Sequence, residues 1–319
     1  MSEVLKVSDL KLYYRTMSGI VRAVEDATFS LREREAIALI GESGCGKTSL
    51  ARAIIRFLPR NVAELSGSVV VDGVETIGMD SSEFDRKIKW RKITYVSQAA
   101  INSLNPVIKV IDHLIEPLVV HFQTPRMEAV EKAKEIVKQV GIAEDFLWRY
   151  SFELSGGMRQ RIVIALSLIT NPRVVILDEP TSALDVMTQA NIMNMLKVLK
   201  KKMNVTYILI THDIATSSEL ADKVSVMYAG QIVELGPAEK TYVDPLHPYS
   251  KGLLGSVPRL RSDAPITSIP GTPPSLISPP KGCRFRPRCP RSMAICEQPP
   301  PLTKLGPEEY VRCWLYGGK

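Results

Sequence analysis

The sequence predicts an α/β fold, and three observations predict it. A glycine-rich loop stands between an apolar strand and a helix, further apolar strands end in polar residues, and a helix-rich stretch is inserted among them. The loop is Gly41-Glu42-Ser43-Gly44-Cys45-Gly46-Lys47-Thr48. It follows the apolar run Ala36-Ile37-Ala38-Leu39-Ile40 and precedes Ser49-Leu50-Ala51-Arg52-Ala53-Ile54-Ile55, so it reads as strand, loop, helix. In that context the pattern G-x-x-x-x-G-K-[ST] is a phosphate-binding P-loop, whose glycines let backbone N–H groups turn onto a phosphate chain at the positive end of a helix. The run Ser43, Gly44, Cys45, Gly46, Lys47, Thr48 and Ser49 is the candidate ATP-binding segment. Lys47 would reach the β- and γ-phosphates, and the Thr48 hydroxyl would ligate Mg²⁺.

From Val4 to Leu31 the chain alternates in strand fashion and breaks at Ser18-Gly19; Gly67-Ser68-Val69-Val70-Val71-Asp72-Gly73 is a second such passage and ends in a D-G turn signal. Together they predict an antiparallel sheet flanking the P-loop core. Two readings stay open for Tyr14: an aromatic face stacked on the adenine ring, or half-buried packing. Ile93-Thr94-Tyr95-Val96-Ser97-Gln98 is a short strand with a polar end. Gln98 reads either as a loop residue or as a group reaching Mg²⁺ and the attacking water. Pro106, Pro117 and Pro125 then punctuate a helical region, with Thr124 as N-cap and Pro125 at the first helical position. Val130, Ala133, Val137 and Val140 recur at helical spacing until Gly141 closes the helix. Residues from about 99 to 154 are a helical insertion.

Leu154-Ser155-Gly156-Gly157-Met158-Arg159-Gln160-Arg161 opens an apolar helix that Ser155 would cap, and its paired glycines allow a phosphate close to the helix N-terminus. That is a second anion site on one chain. Asn171-Pro172 stops the helix, and Val174-Val175-Ile176-Leu177 is a strand buried on both faces that ends in Asp178-Glu179. Adjacent carboxylates at the end of an apolar strand are costly unless used. Asp178 would hold Mg²⁺, and Glu179 would polarise the attacking water as general base. The polar turn Thr181-Ser182-Ala183-Leu184-Asp185 leads into a helix that turns Ile192, Met195, Leu196 and Leu199 inward. The strand Val205–Ile210 leads to Thr211-His212-Asp213, where His212 reads either as structural or as a contact to the γ-phosphate. Gln98, Asp178 and His212 all follow apolar strands, which points to the crevice where α/β sheets bind ligands.

A chain of 319 residues, 45% hydrophobic and 24% charged, can bury a large core and a smaller one. Its apolar runs fall short of the ~18 to 20 residues of a membrane-spanning helix. Met1-Ser2-Glu3-Val4-Leu5-Lys6 lacks the apolar core of a signal peptide. The expectation is a cytosolic protein held at a membrane through partners. The net charge of +7 owes much to a tail in which Lys281, Arg284, Arg286, Arg288, Arg291, Lys304, Arg312 and Lys319 face only Glu297, Glu308 and Glu309. A local basic tail is a weaker nucleic-acid footprint than a basic domain face, and no nucleic-acid partner is expected. Four of the five cysteines, Cys283, Cys289, Cys296 and Cys313, lie in the same tail. In a reducing cytosol such clustering favours a metal site over disulfides.

With the P-loop, Gln98, Leu154 to Met158, Val174 to Glu179, Ser182 to Asp185 and His212 in this order, the chain resembles the ATP-binding-cassette (ABC) ATPases over residues 3 to 240. The resemblance implies a P-loop NTPase ABC cassette with an antiparallel β subdomain, a helical subdomain and a C-terminal cysteine-containing extension. The nucleotide-binding domain would span 1–243 and the extension 244–319. Gln98 is then the Q-loop glutamine, Asp178 and Glu179 the Walker B pair, and His212 the switch histidine. Ser155, Gly156, Gly157 and the D-loop Asp185 would serve the nucleotide of a partner subunit, so a monomer should hydrolyse ATP poorly. Lys47, Gln98, Glu179 and His212 are the catalytic set, and Thr48, Gln98 and Asp178 the Mg²⁺ set. Met158 replaces the family's commoner glutamine and looks like the form found in peptide-importer ATPases.

Asn102-Ser103-Leu104-Asn105-Pro106, Pro245-Leu246-His247-Pro248-Tyr249, Leu253-Leu254 and Ser256-Val257-Pro258 resemble the oligopeptide/dipeptide transporter branch. Residues 258 to 282 read as a Pro/Ser-rich connector lying on the core. The cysteines are spaced C-x5-C-x6-C-x16-C, without zinc-ribbon knuckles. Cys289-Pro290 and the resemblance favour a 4Fe-4S cluster on the four cysteines over zinc or unligated thiols. The reading is the ATPase subunit of a binding-protein-dependent importer at the cytoplasmic face of the cell membrane. Its partners would be a second, different ABC ATPase, two integral-membrane permease subunits and an extracytoplasmic binding protein. Peptides are the expected cargo; related importers carry oligosaccharides or nickel. The rival of another class is a soluble ABC ATPase acting on ribosomes or nucleic acid, disfavoured by the single P-loop and single signature.

Overall fold

The structure is a computed structural model that describes residues 2–182, 184–256 and 268–317. Ala183 of the D-loop, Val257 and Pro258, the first part of the expected 258–282 connector and Lys319 lie outside the described residues. The chain runs β1 (Glu3–Thr16), β2 (Gly19–Arg32), β3 (Ala36–Ile40), α1 (Lys47–Ile54), β4 (Val62–Val71), β5 (Val74–Glu75), α2 (Ser81–Lys87) and β6 (Ile93–Val96). It continues through α3 (Val110–Phe122), α4 (Arg126–Gln139), α5 (Gly156–Leu168), β7 (Val174–Asp178), α6 (Val186–Lys202) and β8 (Thr206–Ile210). Then follow α7 (Ile214–Leu220), β9 (Lys223–Tyr228), β10 (Gln231–Pro237), α8 (Ala238–Thr241), α9 (Pro248–Gly255), β11 (Thr303–Gly306) and β12 (Glu309–Val311). Two units interleave along the sequence: one is Lys6–Ser30, Ala36–Val69 and Ile210–Lys319, the other Met1–Leu5, Leu31–Glu35 and Val70–Leu209.

In the first unit every residue of β3 is buried, and the strand pairs in parallel with β9 from Ile37↔Lys223 to Ile40↔Val226. A parallel strand covered on both faces reads as an unbroken apolar run, which is why Ala36–Ile40 shows no alternation. β10 turns back antiparallel on β9, β12 pairs with β10 at Glu234↔Val311 and Leu235↔Tyr310, and β11 pairs with β12. The extension thus supplies strands to the sheet and side chains to the core. Tyr249, Leu254 and Phe285 pack in one cluster with Ala38, Ile40, Val224, Val226 and Tyr228, and Ile269 and Leu276 of the connector rest against it. The β1–β2 hairpin turns at Met17-Ser18, with β4 beside β1. This is the expected antiparallel sheet, although β4 starts at Val62, ahead of the Gly67 read from sequence.

In the second unit β6 and β7 pair in parallel from Ile93↔Val174 to Val96↔Leu177, with β8 next to β7. α3 buries Val110, Ile111, Leu114 and Leu118, while α4 buries Ala129, Ala133, Ile136 and Val137. Two local readings of the helical insertion need correction. Pro117 lies inside α3 with its ring buried and does not end a helix. Thr124 does not cap α4: its N–H closes α3 by donating to the Leu118 carbonyl at 3.1 Å, and Pro125 takes the N-cap place. Gln123, in the left-handed region at φ 55°, makes this tight closure possible. Among the described residues no helix is long and apolar enough to cross a membrane.

Candidate nucleotide site

The glycine loop joins β3 to α1, and two close approaches explain its composition. A Cβ at Gly41 would stand 2.2 Å from the Met227 carbonyl oxygen, and one at Gly46 2.2 Å from that of Ala23. Both positions also have positive φ, 151° and 110°, so only glycine fits. Lys47 is buried at 7% exposure and donates its Nζ protons to the carbonyls of Gly41 at 2.8 Å and Glu42 at 3.0 Å. An ammonium folded back on its own loop leaves water only where carbonyls replace it. Cys45 is buried, its thiol pushed up by desolvation, and its carbonyl accepts the Gly230 N–H at 2.8 Å. Thr48 and Ser49 are half-buried in the first turn of α1, Ser43 and Gly44 are exposed, and Tyr14 is half-buried on β1. His212 is exposed, two residues past β8, and the following Asp213 caps α7 by accepting the Thr216 N–H at 3.2 Å.

The same loop is held from the extension. Arg288, 5% exposed in its side chain, forms a two-pronged ion pair with Glu42, Nη1 to Oε2 at 2.7 Å and Nη2 to Oε1 at 2.9 Å. The Glu42 N–H donates to the Tyr249 hydroxyl at 2.8 Å. Arg284 donates to the Ala229 carbonyl and to the Glu25 carboxylate. Burial lowers the Arg284 pKa to about 10. Sequence reasoning counted both arginines only as tail charge. Nothing local marks a side chain whose partner is 246 residues away.

In the other unit, β7 ends with Asp178 buried at 1% exposure. The Tyr95 hydroxyl donates to its Oδ2 at 2.9 Å. Glu179 turns off the strand in the left-handed region at φ 51°, and its Oε2 accepts from the Gln98 amide at 3.2 Å. Sequence reasoning missed Tyr95; the signal was its place on β6, the strand paired with β7. Ser155 caps α5, accepting the Met158 N–H at 3.3 Å. A Cβ at Gly157 would meet the Thr188 methyl at 2.8 Å, so α5 begins close against the start of α6. Asp185 caps α6, taking the Thr188 N–H at 2.9 Å and its hydroxyl at 2.7 Å. Those bonds to Thr188 hold its carboxyl below the usual range.

Carboxylate and hydroxyl oxygens are the hard donors Mg²⁺ selects, so Asp178 and Thr48 each fit the expected ion by donor chemistry. The cysteines fit their expected cluster less well. Cys296 and Cys313 are buried, Cys283 and Cys289 half-buried, and the Cys283 N–H donates to the Cys296 carbonyl at 2.9 Å. Burial first, then the charges of neighbouring thiols, raise Cys283 to about 11 and also raise Cys289 and Cys313. Yet among the described residues no three Cys, His, Asp or Glu side chains stand together as a set able to hold a metal ion.

Residues 24–182 match the ABC transporter family, and residues 233–296 the oligopeptide/dipeptide transporter C-terminal region. The chain is 43% identical to the dipeptide transport ATP-binding protein DppD of Caldanaerobacter subterraneus subsp. tengcongensis, over 99% of this chain and 98% of that one. It is 41% identical to the oligopeptide transport ATP-binding protein OppD of Escherichia coli, over 98% and 93%. Among solved structures it is similar to the ATP-binding cassette MJ0796 in a dimeric post-hydrolysis state with ADP and Pi. The TM-score is 0.65 and the identity 27%, over 73% of this chain and 98% of that one. A glycine loop between a buried strand and a helix, and a full-length likeness that includes the extension, lead to one assignment: the chain belongs to the ABC transporter ATPases, in the branch with the oligopeptide/dipeptide transporter C-terminal region.

Proposed function

We propose that this chain is the ATP-hydrolysing subunit of a binding-protein-dependent peptide importer, working at the cytoplasmic face of a membrane. The observation that carries the proposal is the end-to-end match to a dipeptide transport ATP-binding protein, extension included. In this reading residues 1–243 are the nucleotide-binding domain, with a helical subdomain at about 99–154, and 244–319 the extension. The run Ser43–Ser49 and Tyr14 bind ATP, Lys47 giving up its two carbonyl partners for the phosphates. Glu179 accepts a proton from the attacking water, Gln98 orients that carboxylate and the water, and His212 contacts the γ-phosphate. Thr48, Asp178 and Gln98 would hold Mg²⁺, which when bound offsets phosphate charge.

Ser155, Gly156, Gly157 and Asp185 would serve the nucleotide of a second, different ATPase subunit. What supports a partner there is the exposure of Val186 and Met187, 78% and 73%, directly after Asp185. An apolar patch in the helical insertion supports docking to a permease. Val107 and Phe152 are 76% and 66% exposed. The loops that carry them are joined by a bridge between Lys109 and Tyr150 and by the Ser151 hydroxyl, which donates to the Asn105 carbonyl at 3.4 Å. Apolar surface of this kind marks interaction sites.

A mild-detergent pull-down of the tagged chain from native membranes tests the proposal. Recovery of two multi-span proteins and a second cassette ATPase is the expected result; ribosomal proteins or nucleic acid without any membrane partner would overturn it. The 4Fe-4S cluster remains part of the proposal on the clustering of four cysteines in the sequence of the tail alone. Iron and sulfide analysis after anaerobic purification tests it, and colourless protein without stoichiometric iron would remove it.

A further inference from the structure

Glu42 has no role in the nucleotide reading so far, yet all of its polar groups are engaged. Its carbonyl accepts from Lys47 Nζ at 3.0 Å, its N–H donates to Tyr249 Oη at 2.8 Å, and its carboxylate takes both prongs of Arg288 at 2.7 and 2.9 Å. One residue thus ties the phosphate-binding lysine to two residues of the extension. A carboxylate in a loop that receives a polyanion is a liability, because like charges a few ångströms apart repel. Arg288 neutralises it with a two-pronged pair. The guanidinium is itself fixed, with Nε donating to the Pro270 carbonyl at 2.8 Å and Nη1 to Tyr228 Oη at 3.3 Å. It lies beside the ring cluster in which Tyr228 and Tyr249 have centroids 4.5 Å apart and Tyr228 and Phe285 5.2 Å apart. The far side of the loop is held likewise: the Cys45 carbonyl accepts from Gly230, and the Ala229 carbonyl before it from Arg284.

We infer that Arg288 is a positioning residue for ATP binding: from the C-terminal extension it holds Glu42 in a neutralised pair and so sets the phosphate loop and Lys47 for the nucleotide. The extension is then part of the nucleotide site's support as well as a decoration of the sheet. The inference rests on the P-loop reading of ATP binding and adds a dependence on a region outside the cassette motifs.

The test uses the full-length chain, titrated with a fluorescent ATP analogue in the presence of magnesium, with ATPase kinetics alongside. Arg288→Met and Glu42→Gln should each raise the nucleotide Kd and the ATP KM about tenfold with kcat changed less than about twofold, since the loss is in ground-state positioning. The double variant should be no weaker than the worse single one, and Arg288→Lys should recover part of the affinity. Wild-type Kd and KM in both single variants, or additive losses in the double variant, would overturn the inference. Should Arg288→Met fail to fold by circular dichroism, Glu42→Gln, which keeps the side-chain shape, decides alone. A wild-type chain that binds no ATP, by contrast, would overturn the P-loop reading beneath it.

Discussion

The side-chain amide of Gln98 donates to the Glu179 carboxylate at 3.2 Å, across 81 residues of chain. The contact follows from register: β6 and β7 pair as far as Val96↔Leu177, so the residues just beyond each strand emerge side by side. Glu179→Gln should keep ATP binding and lower turnover by about 10² to 10⁴-fold, the range of a lost general base. Steady-state ATPase assays beside a nucleotide titration check this, and unimpaired turnover would remove Glu179 from the base role.

Lys47→Ala should act at the binding step. Its ammonium already sits among the loop carbonyls, 2.8 Å from Gly41, where phosphate oxygens would take over its bonds. Losing a charge-assisted contact of that kind should weaken ATP binding by about 10- to 100-fold. An equilibrium titration that returned the wild-type Kd would refute the role.

Tyr95→Phe removes the hydroxyl that donates to Asp178 at 2.9 Å. Asp178 is at 1% exposure, so water replaces the lost donor poorly. The expected cost is about 1.5–3 kcal/mol, as for a hydrogen bond to a charged group, read as a lower urea midpoint at unchanged slope.

His247 gives the extension a pH dependence. Its Nδ1 accepts the Tyr249 N–H at 3.0 Å, and burial pushes its pKa down to about 3. An unfolded histidine titrates near 6.5, so below that pH the unfolded chain gains a proton that the folded chain refuses. Stability should fall by about 1.4 kcal/mol per pH unit from 6.5 toward 3. Glu234, raised by burial, takes up its proton earlier in the folded chain and offsets part of that loss at the acid end. His247→Asn keeps an acceptor for the Tyr249 N–H and should flatten this limb in urea titrations at pH 5 to 7; an unaltered slope would count against His247.

Phe152→Asp should leave the isolated chain folded, because Phe152 is 66% exposed and touches the stacked Tyr150 ring at a centroid distance of 5.7 Å. If the patch is the permease contact, the pull-down from membranes should lose the multi-span partners while the nucleotide Kd stays at the wild-type value. Full recovery of those partners would place their docking site elsewhere.

The residues themselves determined the α/β class, the P-loop, the capped start of α5 at Ser155 and the polar ends of the apolar strands. These are local properties, set by glycine conformation, capping and hydrophobic period within a few residues. Thr124 and Pro125 were misread by one position because Thr124 could close one helix with its N–H or start the next with its hydroxyl as acceptor, a choice that Gln123 settles by turning left-handed. Only the tertiary structure decided that Tyr95 supports Asp178, that β12 extends the sheet from β10, and that Arg288 grips Glu42. An arginine in a basic tail has the same sequence signature whether it is solvated or buried. Its partner is chosen by the packing of Tyr228, Tyr249 and Phe285, which brings distant parts of the chain into one core where an unpaired charge would be too costly to keep.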